Sequence, residues 1–398
     1  MGRIRSLSAL IAISASASFF GLGGISARAG VRLLEQGTVA ILGATEGSGA
    51  LVSTKDDVYT VATVWHVVSS NSQGEELWVR TSDGQSHKVD SSSVTRLGSL
   101  DLAILKFKSS SKYPVLPISL IDLPASGMML ISAGRPLNKS SGAMQISVGE
   151  LIASSGAKID SGYSLLYTNK TLPGMSGGPI VNKQNQLVGL HGRGERNEQT
   201  GSIEMKTGIN QGIPAYFLRQ YLSGLPVSAL SDELSTCGDY LAASNMSHRH
   251  AGGAMSTYRL ANAAFQRCSD KSKPLFLMAY SSWRLGNRSK SISLYEQSLE
   301  YDPSSVDARV NLSNVKIEDA LINGTQLYLS PLIDELWKVH DNDPMHVGTI
   351  NTLALAYFLA GKKGAAVTLL RQGLKIDPTS EVLHNNLKSF LGKSPIRK

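Results

Sequence analysis

Cysteine is nearly absent from this chain: Cys237 and Cys268 are the only two among 398 residues. The stretch before residue 237 therefore cannot be a disulfide-stapled scaffold and must fold on its hydrophobic core. No Cys/His group has zinc-ligand spacing. His248 and His250 stand too close together and lack companions, so both are expected on the surface, and no metal or cofactor is expected. Charged residues make up only 18% of the chain and aromatics 6%, and no basic-aromatic stripe marks a nucleic-acid face. Beyond residue 29 no apolar run is long enough to span a bilayer, so stable membrane insertion is not expected either.

What the N-terminus does have is the pattern of an export signal. Arg3 and Arg5 form a basic start, an apolar stretch runs from Leu7 to Leu22, and Ala27-Arg28-Ala29 fits small-x-small cleavage. Ser14, Ser16, Ser18 and the glycines at 21, 23 and 24 interrupt the apolar stretch, which argues against a retained anchor. Residues 1–29 are expected to be removed, leaving a product in the periplasm or outside the cell. The net charge of +8 falls to +5 without Arg3, Arg5 and Arg28, a mild basicity that suits acidic surfaces or substrates.

From Thr38 to Tyr167 short β-rich runs (Val39–Leu42, Val58–Ala62, Leu77–Val79, Met128–Ile131, Leu165–Tyr167) are broken by Gly, Ser, Asp and Pro, the pattern of an all-β barrel or sandwich. Pro214–Tyr221 reads as a closing helix and Ser223-Gly224-Leu225-Pro226 as a break, which sets domains at 30–225 and 226–398. After the break the period changes from 2 to 3.6. Asp302-Pro303, Asp343-Pro344 and Asp377-Pro378 recur, the last two prolines 34 residues apart. That is the tetratricopeptide period. Gly286 and Tyr295 fit one copy, and Tyr357, Gly361 and Ala366 another. The middle copy is longer, with an insertion expected around Asn323-Gly324-Thr325, and a degenerate unit is expected from Thr236 to Ser269. Its antiparallel helices would bring Cys237 and Cys268 together as a disulfide, with two buried thiols as the other reading. Such an array commonly offers a concave surface to a peptide or protein partner.

The chemistry is carried by three segments: Thr60 to Val68 with His66, Ser99 to Leu105 with Asp101, and Gly174-Met175-Ser176-Gly177-Gly178-Pro179. A serine hydroxyl is a poor nucleophile until a base takes its proton, a carboxylate orients that base and backbone N–H groups await the oxyanion. Gly174-x-Ser176-x-Gly178 also fits the nucleophile elbow of α/β-hydrolases. That elbow needs a helix after the serine, whereas here Pro179 and a hairpin pattern come next. Over residues 31–222 the segments resemble the trypsin-like (chymotrypsin-fold) serine proteases. The resemblance implies an all-β double barrel, here followed by all-α helical repeats. It also implies a serine endopeptidase with His66 as base, Asp101 as its orienting carboxylate, Ser176 as nucleophile and the Gly174 and Ser176 amides as oxyanion hole.

Thr171 and His191 match positions that line the pocket for the residue before the scissile bond. The bacterial glutamyl-endopeptidase branch has a hydroxyl residue and a histidine there, which implies cleavage after acidic residues; the other reading is that His191 is a satisfied strand residue beside a small or apolar pocket. Lys170 stands where a pocket for Lys or Arg would need an acid, and Lys170 and Arg193 would add positive potential. Met175 departs from the relatives' usual Asn or Asp and is expected to leave the nucleophile loop loosely fixed. A rival reading is a catalytically silent protease fold used as a binding module. A chaperone-protease would be expected to carry a PDZ-like domain after residue 225, where this chain turns helical.

Overall fold

The computed structural model describes residues 29–71, 75–136, 143–324 and 327–392. All of the expected export segment but Ala29 lies outside them, as does Thr325. The chain divides into two compact units. One holds the described residues up to Leu151 together with Ser161–Gly194 and Gln211–Ala229. The other holds Ile152–Asp160, Glu195–Asn210 and the chain from Leu230 onward.

The first unit opens with helix α1 (29–37) and contains two closed six-stranded barrels. The first barrel is built from β1 (Thr38–Leu42), β2 (Glu46–Lys55), β3 (Val58–Thr63), β4 (Trp78–Arg80), β5 (Ser86–Arg96) and β6 (Ala103–Lys108), in the order β1-β2-β3-β6-β5-β4. The helical turn α2 (Trp65–Val68) comes after β3. These strands are rich in Val and Thr, whose β-branched side chains suit a pleated surface packed on neighbours. Val39, Ile41, Leu51, Val61, Leu105 and Phe107 are all buried in the interior. Each contributes roughly 1.5–3 kcal/mol of apolar burial.

The second barrel uses β7 (Met129–Gly134), β8 (Gln145–Ser154), β9 (Leu165–Tyr167), β10 (Pro179–Val181), β11 (Leu187–Arg193) and β14 (Asn210–Pro214), and α3 (Ala215–Leu222) comes after it. Leu130, Leu151, Leu165, Tyr167, Ile180 and Val188 form its core. In the first barrel the register of β3 and β6 brings two loops together. The strands are antiparallel with Ala62 opposite Ile104 and Thr63 opposite Ala103, so the exit of β3 and the entry of β6 are neighbours.

Between β11 and β14 the chain makes a hairpin, β12 (Asn197–Thr200) and β13 (Ile203–Lys206), which belongs to the second unit. From Cys237 onward the described residues of that unit form helices: α4 (Cys237–His248), α5 (Ala254–Arg267), α6 (Ser272–Arg284), α7 (Arg288–Tyr301), α8 (Val306–Asn323), α9 (Leu329–Asn342), α10 (Val347–Leu359), α11 (Lys363–Ile376) and α12 (Glu381–Leu391). Each Asp-Pro sits just past the second helix of a pair. The long middle copy is accounted for by the 18-residue α8, which Gly324 closes in the left-handed conformation at φ 68°. Thr236 caps α4 through a reciprocal pair with Asp239, each side chain accepting from the other's backbone N–H. Cys237 opens α4 and Cys268 caps α5, and the two form a disulfide with Cα atoms 4.8 Å apart.

His248 is not a surface residue. Helix α4 is covered on most of its circumference, and His248 is fully buried with its ring edge-on to Tyr280, centroids 4.5 Å apart. Neither ring nitrogen has a hydrogen-bond partner among the described residues. Burial first, and then the positive charges of Arg284, Arg196 and Arg249, push its pKa down to about 3. His250 is exposed, as expected. Because the unfolded chain takes up the proton near pH 6.5 and the folded one only near 3, this site stabilises above pH 6.5 and loses that contribution as pH falls. Denaturation of wild type and His248→Phe at pH 7 and pH 4 should show the wild type losing more, by on the order of a few kcal/mol. Equal losses would mean the imidazole charges in place.

Candidate active site

Both His66 and Asp101 are placed by the β3–β6 pairing. The backbone N–H of Trp65 donates to the Asp101 carbonyl at 3.1 Å, which draws the turn after β3 onto the turn before β6. The Asp101 carboxylate then accepts from His66 twice: Oδ1 from the backbone N–H at 2.8 Å, and Oδ2 faces Nδ1 at 2.7 Å. A third donor, the Tyr163 hydroxyl, reaches Oδ2 at 2.5 Å. Burial alone would raise the Asp101 pKa, but the His66 and Tyr163 hydrogen bonds outweigh it and hold the carboxyl below its usual range. An ionised carboxylate against Nδ1 keeps the proton on that nitrogen and leaves Nε2 as the basic lone pair.

Ser176 lies on the loop between β9 and β10. Ser48 on β2, in the other barrel, is fully buried and grips that loop. Its N–H donates to the Ser176 carbonyl at 2.7 Å, and its hydroxyl donates to the Gly174 carbonyl at 2.8 Å. That hydroxyl also accepts from the Arg135 N–H at 2.8 Å, and the Ser48 carbonyl accepts from Thr63 Oγ1 at 2.8 Å. The loop's glycines result from this crowding. Gly177 has φ 85°, and a Cβ there would lie 2.1 Å from both the Ser48 carbonyl oxygen and Thr63 Oγ1. At Gly178 a Cβ would lie 2.1 Å from the Ala133 carbonyl oxygen.

Ser176 Oγ donates to the Gly192 carbonyl at 3.3 Å and makes no hydrogen bond to His66. Gly174 comes after Pro173 in a tight turn, with φ 90° and Met175 N–H bonded to the Leu172 carbonyl at 3.1 Å. Among the described residues the N–H groups of Gly174 and Ser176 donate to no protein acceptor, whereas those of Gly177 and Gly178 are bound to His191 and Met175 carbonyls. Met175 does not leave the loop loose. Its side chain is fully buried on the face of Gly134, and its sulfur accepts the Leu172 N–H at 3.3 Å. Packing fixes the loop where a polar side chain was expected to.

His191 is also buried, on β11. Its carbonyl takes the Gly177 N–H at 2.7 Å and its N–H gives to the Gly178 carbonyl at 2.8 Å, so this strand is stitched to the nucleophile loop. Its Nδ1 is hydrogen-bonded to the hydroxyl of Tyr167, which burial keeps a neutral phenol. Thr171 is half-buried and Lys170 exposed. The Arg193 guanidinium lies over the ring of Tyr163, 3.8 Å from its centroid, the tyrosine whose hydroxyl reaches Asp101. Sequence reasoning missed Ser48, Tyr163 and Tyr167, because a serine or tyrosine in a β-rich stretch carries no local signal of a partner far along the chain. Among the described residues no group of His, Cys, Asp and Glu is placed to hold a metal ion.

Residues 47–190 match the trypsin-like peptidase domain, and residues 272–305 match the tetratricopeptide repeat. Two curated proteins similar to this chain are serine protease HTRA1 of Xenopus laevis and serine protease HTRA3 of Homo sapiens. The first is 26% identical over 188 residues, covering 45% of this chain and 36% of the relative. The second is 25% identical over 199 residues, covering 47% of this chain and 40% of the relative. The chain spans about two fifths of the length of these relatives. It therefore carries a trypsin-like peptidase domain, folded as two barrels, and a helical domain with a tetratricopeptide repeat.

Tyr163→Phe removes one of the donors that keep Asp101 ionised. The stability tied to that carboxylate is present above the unfolded carboxyl range and is lost as pH falls, so the variant should be weaker at pH 7 by about 2 kcal/mol and closer to wild type at pH 3. Urea denaturation at the two pH values measures both, and a pH-independent difference would assign Tyr163 to packing alone.

Proposed function

We propose that this chain is an exported serine endopeptidase working by acyl transfer. The observation that carries the reading is the His66–Asp101 pair at 2.7 Å, set by the same barrel whose Ser48 holds the Ser176 loop. In the reaction Ser176 Oγ turns from the Gly192 carbonyl to His66 Nε2, gives up its proton there and attacks the scissile carbonyl. The Gly174 and Ser176 amides, unbound to any protein acceptor among the described residues, receive the oxyanion. His66 then returns its proton to the leaving amine while Asp101 stays ionised and stabilises the imidazolium. The resting Ser176–Gly192 hydrogen bond costs one side-chain rotation, since catalytic hydrogen bonds are often long or misaligned before substrate binds.

For specificity we infer a preference for acidic residues before the scissile bond. His191 is oriented by Tyr167 and sits on the strand next to the nucleophile loop. Lys170 immediately precedes Thr171, Arg193 stands close after His191, and no acid occupies the position of Lys170. An imidazole N–H and the Thr171 hydroxyl are donors suited to a carboxylate. Export is supported by the basic-then-apolar pattern of residues 1–29 and by the disulfide, which persists in oxidising compartments. The tetratricopeptide repeat suits protein interactions. No helix among the described residues is long and apolar enough to cross a membrane.

Ser176→Ala should lower peptide hydrolysis by at least ~10⁴-fold and abolish labelling by a serine-directed phosphonate while circular dichroism is unchanged. Undiminished turnover by purified variant would overturn the assignment. Profiling cut sites in a mixed peptide library should show Glu favoured over Gln, and His191→Ala should erode that ratio by about tenfold or more, as loss of a hydrogen bond to a charged group does. A profile dominated by Lys and Arg, or by large apolar residues, would mean the pocket takes another side chain.

A further inference from the structure

Strand β13 is an edge strand, since among the described residues only β12 pairs with it. Its free edge would leave a row of backbone groups unmet, which is costly when buried and a template for another strand when exposed. Here the row is met by asparagine side chains from three helices of the same unit. Asn311 on α8 takes both groups of Lys206: Nδ2 donates to its carbonyl at 2.7 Å, and Oδ1 accepts its N–H at 3.3 Å. Asn314 on α8 donates to the Glu204 carbonyl at 2.9 Å. Asn351 on α10 and Asn386 on α12 both donate to the Ser202 carbonyl, at 3.2 and 2.9 Å.

All four asparagines are buried. They are also held in place by one another and by their neighbours. Thr352 donates to Asn314 Oδ1 at 3.0 Å, Asn386 Nδ2 donates to Asn351 Oδ1 at 2.8 Å, and Asn311 Nδ2 also reaches the Tyr295 hydroxyl at 3.2 Å. A carboxamide presents the same donor and acceptor as a peptide group, so this row substitutes for a neighbouring strand. It reads residues 202, 204 and 206, the alternate positions that face one edge, and it reads backbone rather than side chain. The asparagines recur with the repeat: Asn311, Asn351 and Asn386 stand eight, seven and eight residues after Pro303, Pro344 and Pro378.

We propose that this asparagine face is a receptor for one extended peptide backbone, that its resident ligand is the chain's own residues 202–206, and that an extended peptide from a partner binds there only by displacing them. The proposal does not depend on the activity proposed above.

The test uses a fluorescein-labelled peptide with the sequence of residues 200–208, followed by anisotropy against three forms of the full chain. They are wild type, a form with residues 198–205 replaced by a Gly-Ser linker, and that form also carrying Asn314→Ala, Asn351→Ala and Asn386→Ala. The linker form should bind saturably, wild type at least tenfold more weakly, and the third form at least tenfold more weakly than the second. A folded linker form that fails to bind would overturn the proposal. So would wild type binding equally well, or asparagine substitutions without effect. Hydrogen exchange in the otherwise intact chain gives an independent reading should the linker form not fold. The three asparagine substitutions should speed exchange of the Ile203 and Met205 amides at least tenfold and leave β1–β6 unchanged. Unaltered protection of the hairpin would equally overturn it.

Discussion

In the two-barrel unit the placement of the Ser176 loop depends on the buried hydroxyl of Ser48. It donates to the Gly174 carbonyl and accepts from the Arg135 amide, while the residue's own N–H holds the Ser176 carbonyl. One residue of the first barrel thus binds the carbonyls of both Gly174 and Ser176, the first through its side chain and the second through its backbone, in a site too tight for any residue but glycine at 177 and 178. Removing the hydroxyl would leave the buried Gly174 carbonyl without that partner, which costs about 1–3 kcal/mol, and would also take the Ser48 contact from the part-buried Arg135 amide. The loop is thereby tied to the barrel that presents His66 and Asp101, and the placement of Ser176 relative to them becomes a property of packed strands rather than of a flexible turn.

Much of this was legible in the sequence, and the parts that were not share a physical cause. The strands announced themselves through β-branched runs and turn residues, the helical pairs through Asp-Pro spacing, and the pairing of His66 with Asp101 through motifs whose residue types the proposed chemistry demands. Ser48 and Gly174 are 126 residues apart, and Tyr163 and Asp101 are 62 apart. Such pairings exist only once the barrels close. Met175 misled because a polar residue was expected to fix the loop by hydrogen bonds, whereas burial against Gly134 does so by packing. His248 misled because two nearby histidines without ligand companions look solvent-facing, when the register of α4 turns one inward and leaves the other in solvent.

The helical unit solves a different problem with the same economy of groups. A two-stranded hairpin is marginal by itself, and its outer edge needs partners. Asparagines repeated along successive helices supply them, while Ile203 and Met205 are buried in the same unit. The Asp-Pro period and the asparagine period are therefore two readings of one repeat. The first sets where helices end, and the second sets what their shared face recognises. Only the first was read from sequence, because asparagine in a helix is unremarkable until the strand it touches is known.

The most direct test of the Ser48 clamp is the second-order rate constant for phosphonate labelling of Ser176 in Ser48→Ala, compared with wild type under conditions where both are folded by circular dichroism. If the clamp fixes the nucleophile loop, labelling slows by at least tenfold. Labelling at the wild-type rate would contradict it and place the control of Ser176 elsewhere.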